Sequence, residues 1–264
     1  MNETSSVIQE NKVLFIIIIL VGIAILLFVC YRLYNNYVQF TEDNVYLVRG
    51  TVQGSSSPVT IPSTQIPRAS DGPYGYEFSY GMWLMVNQDS YSVLNRTVKK
   101  HILHKGNTNM VPYMCPGIFL SEAKNDLEVH FTTYDYTNEV CKIQNVPIGK
   151  WFHLAVVVIN KSIDVYINGN LKKRCTLKGL PIQNYGDVYI AKDIYSGDEQ
   201  TYVHLSGLLS NVRYFNYALP YYRLEQLMSE TPGEAPPMDQ GIMPPYFSQN
   251  YYLQTGFPNV TPNK

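Results

Sequence analysis

Charge of either sign is scarce in this sequence, and what there is cancels. Twenty Lys and Arg stand against 21 Asp and Glu, a formal net charge of −1 over 264 residues. No global field points to a nucleic-acid partner. Cysteine is scarcer still, at four residues. No two of them form Cys-x-x-Cys, so neither a zinc ribbon nor a dithiol redox motif is indicated. There is no Gly-x-Ser-x-Gly elbow, no His-Glu-x-x-His zinc site and no phosphate-binding glycine loop. Long helical patterns are missing as well. Between the apolar N-terminal run and the tail, the best helix candidate is the short PYYRLEQLMSE, Pro220 to Glu230, with Pro suited to its first turn.

The one long hydrophobic run is Val13 to Tyr31, 19 residues without a charge between Lys12 and Arg32. At about 1.5 Å per residue it matches the hydrocarbon core of a bilayer. Fifteen of its residues are Ile, Leu, Val or Phe, and at about −0.4 kcal/mol each insertion gains roughly 6 kcal/mol. A cleaved signal peptide fits worse, because the run is long for an h-region and FVCYRLYNN offers no small-x-small cleavage site. The residues predict an uncleaved single-pass anchor in membrane lipid. Lys12 and Arg32 nearly tie in the positive-inside count; an outer location for the C-terminal domain is the favoured expectation. Residues 1–12 read as a short polar tail, 32–43 as a juxtamembrane segment, 44–230 as one domain, and 231–264 as an extended, mobile tail holding seven of the 16 prolines.

Within 44–230 the pattern is that of strands. From Trp151 to Ile159 both alternating faces are largely apolar, which is the mark of a strand buried on both sides. A helix is the rival, but Val156, Val157, Val158 and Ile159 are consecutive β-branched residues that favour strands. Ile163, Val165 and Ile167 then alternate with Asp164, Tyr166 and Asn168. Asn168–Gly169 signals a two-residue type I′ hairpin, because that turn needs φ > 0 at both positions. Trp151, Leu154, Val156, Val158, Tyr166 and Ile167 are expected in the core, with one or two at its edge. NVYLVRGTV, YEFSYGMWLMV, KHILHKG, GIFLSE, DLEVHFTTY, VCKIQ, DVYIAKD and SGLLSNVRYFNYAL add further short strands. The Ser/Pro-rich stretch after Val52 reads as a loop that cannot be a central strand. Some ten strands at regular spacing predict an all-β sandwich or barrel.

Other residues carry weaker signals. His153, inside a buried strand, reads as a hydrogen-bonded core histidine rather than a ligand. Lys172, Lys173 and Arg174 read as a solvated face. Lys99, Lys100, His101, His104 and Lys105 form a second basic cluster that would suit an anionic glycan or a lipid headgroup. Asn-x-Ser/Thr sequons stand at Asn2, Asn95, Asn160 and Asn259; Asn95 and Asn160 matter if the domain enters a glycosylating lumen.

The order of segments resembles the LamG-like jelly roll of the concanavalin A-like lectin/glucanase superfamily. The resemblance covers roughly Asn44 to Glu230. It rests on Trp151, His153 and Leu154, then the Tyr166, Asn168 and Gly169 hairpin, then a closing strand with Gly207, Leu209, Ser210, Val212, Arg213 and Phe215. It implies an antiparallel two-sheet sandwich. Ile61, Pro62, Ser63, Ile66 and Pro67, then Cys115, Pro116, Gly117 and Leu120, then Cys175, resemble anchored members found in large DNA viruses, which implies a virion membrane protein. In such a sandwich Cys141, on the strand leading into Trp151, and Cys175, on the strand leaving the hairpin, are expected to pair, with Cys115 as the competitor for either partner. Glycosidases similar to laminarinases use Glu-x-Asp-x-x-Glu to flank the scissile bond. Here only Asp126 and Glu128 share a strand face, so a solvated edge is the plainer reading, and fold alone does not grant the activity. Some LamG-like domains hold Ca²⁺ at the rim; Asp193, Asp198 and Glu199 lie in one loop, but their spacing is not a calcium loop. The expectation is a non-catalytic module without a cofactor that binds a glycan or a surface protein. A purely structural virion component is the alternative, and a glycosidase is disfavoured.

Overall fold

In a computed structural model, residues 15–34, 44–54, 58–72, 75–92, 97–108, 113–196 and 199–233 are described. The apolar run forms helix α1, Phe15–Tyr34, of 20 residues and mean hydropathy 2.9, with all its residues exposed. It is long and apolar enough to cross a membrane, and a signal sequence passes the same test. It continues three residues past Tyr31 and takes in Arg32; Val13 lies outside the described residues.

Two sheets follow. The first contains β1 (Asn44–Gln53), β3 (Ser70–Gly72), β4 (Gly75–Val86), β9 (Trp151–Ile159), β10 (Ser162–Ile167), β11 (Asn170–Thr176) and β15 (Gly207–Phe215). Its order is β1-β15-β4-β9-β10-β11, with β3 on β4. The second contains β2 (Val59–Ile61), β5 (Lys99–Gly106), β6 (Gly117–Leu120), β7 (Leu127–Phe131), β8 (Glu139–Ile143), β12 (Asp187–Ile190), β13 (Ile194–Ser196) and β14 (Glu199–His204). It runs β13-β14-β5-β6-β7-β8, with β12 bridging β5 and β2. The ladders are antiparallel apart from β14 on β5. The Ser/Pro-rich stretch is not all loop: Val59–Ile61 pairs with Val188–Ile190 as a three-residue edge strand, a place where neighbouring prolines do no harm.

The Asn168–Gly169 turn forms as the residues dictate. Ile167 faces Asn170 across a two-residue loop, and both turn residues have positive φ, 50° and 71°. Phe152, Leu154, Val156 and Val158 point into the core between the sheets, beside Ile163, Val165 and Ile167. The other face of β9 explains why that strand is apolar on both sides. Helix α2, Tyr221–Ser229, starts after Pro220 and lays Leu224 and Leu227 on Ala155, Val157 and Phe215. Tyr166 belongs to this outer layer and is half-buried, as is Trp151; Asn168 is exposed at the turn. These three therefore lie outside the inter-sheet core. Truncating Phe152, which is fully enclosed, to Ala is expected to cost about 3–5 kcal/mol. Trp151→Ala should cost less, and melting curves of the two variants check the difference. Beyond α2, the Gly233 N–H donates to Ser210 Oγ at 2.8 Å and Thr51 Oγ1 donates to the Gly233 carbonyl at 2.8 Å. The sandwich thus reaches three residues past Glu230; residues 234–264 of the tail lie outside the described residues.

Candidate functional site

Between the sheets, at the end where β4 begins and β15 ends, lies a cavity of about 200 Å³. The period of two along β4 turns Tyr76, Phe78 and Tyr80 inward as its floor. Tyr214 of β15, opposite Tyr80 in the ladder, completes the aromatic lining. Lys105 from the end of β5 and Cys115 close the far wall, and loops 63–69 and 183–185 form the mouth. The loops are held in place. The Lys105 ammonium donates to the Asn184 carbonyl (2.7 Å), to Asn184 Oδ1 (3.0 Å) and to the Gly186 carbonyl (3.1 Å). Asn184 Nδ2 returns bonds to the Lys105 and Tyr113 carbonyls, both 3.0 Å. Asp187 Oδ1 accepts the Ser63 N–H at 2.8 Å. At the rim the Arg68 guanidinium sits 4.7 Å over the Tyr185 ring, and its Nε donates to Gln183 Oε1 at 2.8 Å.

The lining carries no carboxylate, and its two cations, Lys105 and Arg68, are both engaged by neighbouring groups. Burial pushes the Cys115 thiol up to about 12, so it is no nucleophile near neutral pH. Burial also raises the phenols of Tyr76, Tyr80 and Tyr214 above the ordinary range. The Tyr80 hydroxyl is fully enclosed and has no hydrogen-bond partner among the described residues. A buried hydroxyl left unpaired costs free energy.

The sequence offered most of these residues without joining them. Ile66 and Pro67 of the IPSTQIP segment and Cys115 line the cavity, and Tyr76, Phe78 and Tyr80 were legible as one strand face. Nothing local says that residues 76, 105, 115, 184 and 214 meet.

The other expected residues take different places. Asp126 and Glu128 do share a face, but Lys142 bridges both, at 3.4 and 3.3 Å, and Lys99 stands 2.8 Å from Glu128. A hydrogen bond from His130 is the main cause that holds the Glu128 carboxyl down at about 2, whereas a general acid needs a raised value. The basic cluster around Lys99 is not a surface patch. Lys100, His101 and His104 are buried, and Lys100 donates to the Ser121 and Glu122 carbonyls. Lys172 and Lys173 are exposed, and Arg174 grips Asp164 with two bonds of 2.6 Å. His153 is buried against Trp83, yet its Nδ1 has no partner among the described residues, so the expected hydrogen-bonded histidine is not what forms. Asp193 is engaged by the His204 side chain and N–H; Asp198 lies outside the described residues, and among those described no cluster of His, Cys, Asp and Glu is suited to a metal. Asn160 accepts the Tyr76 N–H at 3.1 Å; Asn2, Asn95 and Asn259 lie outside the described residues. Cys141 of β8 and Cys175 of β11 are bonded, with Cα atoms 5.9 Å apart, and Cys115 is a free, buried thiol.

The sequence profile of the concanavalin A-like lectin/glucanases superfamily matches residues 53–221, more than half of the chain. Among solved structures, the binding domain of botulinum neurotoxin serotype G is similar over 71% of this chain at 14% identity and a TM-score of 0.52. The receptor-binding domain of the mosaic serotype C/D toxin is similar over 68% at 12% identity and a TM-score of 0.50. This chain spans 44% and 41% of those two, and at such identity the likeness is one of fold. A search of curated proteins finds no match.

Proposed function

The chain belongs to the concanavalin A-like lectin/glucanases superfamily, and from that premise we propose that it is a single-pass membrane protein displaying a non-catalytic binding module for a glycan or a surface protein. The observation that carries the reading is the inter-sheet cavity, walled by Tyr76, Phe78, Tyr80 and Tyr214, with its cations Lys105 and Arg68 engaged by neighbouring groups. Such a concave site with a few polar groups suits binding. Its described lining holds no paired carboxylates and no ionised nucleophile, and the Asp126 and Glu128 carboxylates elsewhere are bridged by lysines. Helix α1 supports anchoring by its length and composition. The Cys141–Cys175 bond supports an oxidising compartment and so an outer location for the sandwich. The IPSTQIP and CPGIFL segments favour a virion membrane as the place of display.

Two experiments test this. Carbonate extraction and protease protection on membranes should find the full chain integral and residues 44–233 on the outer side. Incubation of the full chain with β-glucans should release no reducing ends; release that disappears with Glu128→Gln would make it a glycosidase.

A further inference from the structure

The exposed aromatic residues of the sandwich gather at one end. Asn44, where β1 starts, pairs with Phe215, and Phe215 pairs with Ser79 near the start of β4. The chain therefore enters the sandwich at the end where the cavity has its mouth. The connections of that end carry Tyr113 between β5 and β6, Tyr134 and Tyr136 between β7 and β8, and Tyr185 before β12. The first turn of α2 brings Tyr221 and Tyr222 to the same end. It starts there because the Ala218 and Leu219 N–H groups just before it donate to Glu77 Oε2 (3.4 Å) and Ser79 Oγ (3.0 Å). All six rings are exposed, Tyr134 by 74% and Tyr185 by 72%. Among the described residues, the opposite end exposes Leu171 and Tyr195. Apolar surface left open on one side of a domain marks an interaction site.

The chemistry of this end points to a lipid surface. A tyrosine is apolar along its ring and polar at its tip, which suits the headgroup level of a bilayer. The loops of this end expose Arg68, Lys161 and Lys178, and among the described residues they expose one acid, Asp135. Two of the cations sit on the rings themselves, Arg68 4.7 Å over Tyr185 and Lys178 5.1 Å over Tyr136. A stacked cation keeps its charge, and anionic headgroups attract it. Only nine residues, 35–43, separate the end of α1 from β1, a reach of at most about 35 Å. A tether that short gives the domain an effective concentration of about a millimolar at the bilayer, so contacts too weak to hold a free domain suffice. We propose that this end of the sandwich rests on the headgroup layer of the membrane that holds its own anchor, with the tyrosines at the interface and the three cations toward anionic lipid. The contact goes beyond the binding-module reading and rests on its anchor; it turns the mouth of the cavity toward the headgroups.

The test reconstitutes the full chain in vesicles of phosphatidylcholine brominated near the shallow end of its acyl chains, with and without phosphatidylserine. Tryptophan reporters are read as the emission they add to that of the parent, which has Trp83 and Trp151. The emission added by Tyr134→Trp should be largely lost in brominated vesicles, whereas that added by Leu171→Trp, at the far end, should be kept. Phosphatidylserine should deepen the loss, and high salt should reverse that increment. Replacing Tyr113, Tyr136 and Tyr185 together by Ser should restore the emission of the Tyr134→Trp reporter. The melting temperature should stay unchanged, because these side chains are exposed. Equal quenching at both ends, no quenching at either, or a blue-shifted reporter that bromine does not quench, as under a second copy of the chain, would each overturn the proposal. Carbonate extraction of the same vesicles reads the anchor separately. A chain that carbonate strips off, yet whose Tyr134→Trp reporter was quenched beforehand, would refute the anchoring and leave the lipid-facing end standing.

Discussion

Lowering the pH from 7 to 5 is expected to remove about 4 kcal/mol from the stability of the sandwich, a large part of the ~5–15 kcal/mol typical of a domain. The cause is histidine that folds neutral. The Lys192 N–H donates to His101 Nδ1 at 3.0 Å, which leaves the proton of that ring on Nε2. That proton is donated to His104 Nδ1 at 2.7 Å, and His104 Nε2 donates in turn to the Asn107 carbonyl at 3.0 Å. Every ring nitrogen is used, and an added proton would set two N–H groups face to face. Burial is the first cause that lowers His101 well below its usual value and His104 to about 4, with Lys192 adding repulsion at both. His153, buried near Arg213, is also lowered to about 4 by burial first. These are depressed values, so the unfolded chain takes up protons first. The stability is whole above about pH 6.5 and is lost as pH falls from there toward 4, about 2 kcal/mol at pH 5 for each of His104 and His153. His101 adds in the same direction. Glu128, held at about 2, extends the loss below the ordinary carboxylate range. Urea unfolding at pH 7 and pH 5 measures the effect, and equal midpoints would show that these rings accept protons in the fold.

Removing the Cys141–Cys175 bond is expected to cost about 4 kcal/mol. The two residues are 34 apart in sequence, and the loop they close restricts the unfolded chain. The position adds a structural reason. Strand β8 is the last strand of the second sheet and β11 the last of the first, so the bond ties together two open edges, and Cys141 lies in the packed core. The Cys141→Ser, Cys175→Ser double variant should melt well below the parent, whereas reduction should leave that variant unchanged. If the parent melts at the same temperature with and without reductant, the bond contributes no stability.

Local sequence was enough wherever the chemistry is local. An uncharged apolar run of about 20 residues can satisfy its own backbone as a helix, whatever the rest of the chain does. Asn168–Gly169 makes its turn because few other pairs accept φ > 0 twice. The alternation along Ile163–Ile167 marks an inward face because side chains on a strand alternate by geometry. Strand count was less legible. Val59–Ile61, Ser70–Gly72, Ile194–Ser196 and Glu199–His204 are short edge or near-edge segments, and such strands exist only because a longer neighbour offers its hydrogen bonds. The apolar outer face of β9 was visible in the residues, but what covers it, Leu224 and Leu227 of α2, comes from some 70 residues downstream. The basic cluster at Lys99–Lys105 shows the same limit: pairing β5 with β6, β12 and β14 buries three of its five residues. The cavity is the clearest case. Its tyrosines, its lysine and its thiol come from strands and loops far apart in the chain, and no residue among them is unusual where it stands. Composition and period decided that this chain would be a sandwich behind an apolar helix; only the register of β15 and β4 decided that Tyr214 and Tyr80 would meet at the wall of one cavity, because contacts between distant segments exist only once both sheets have closed.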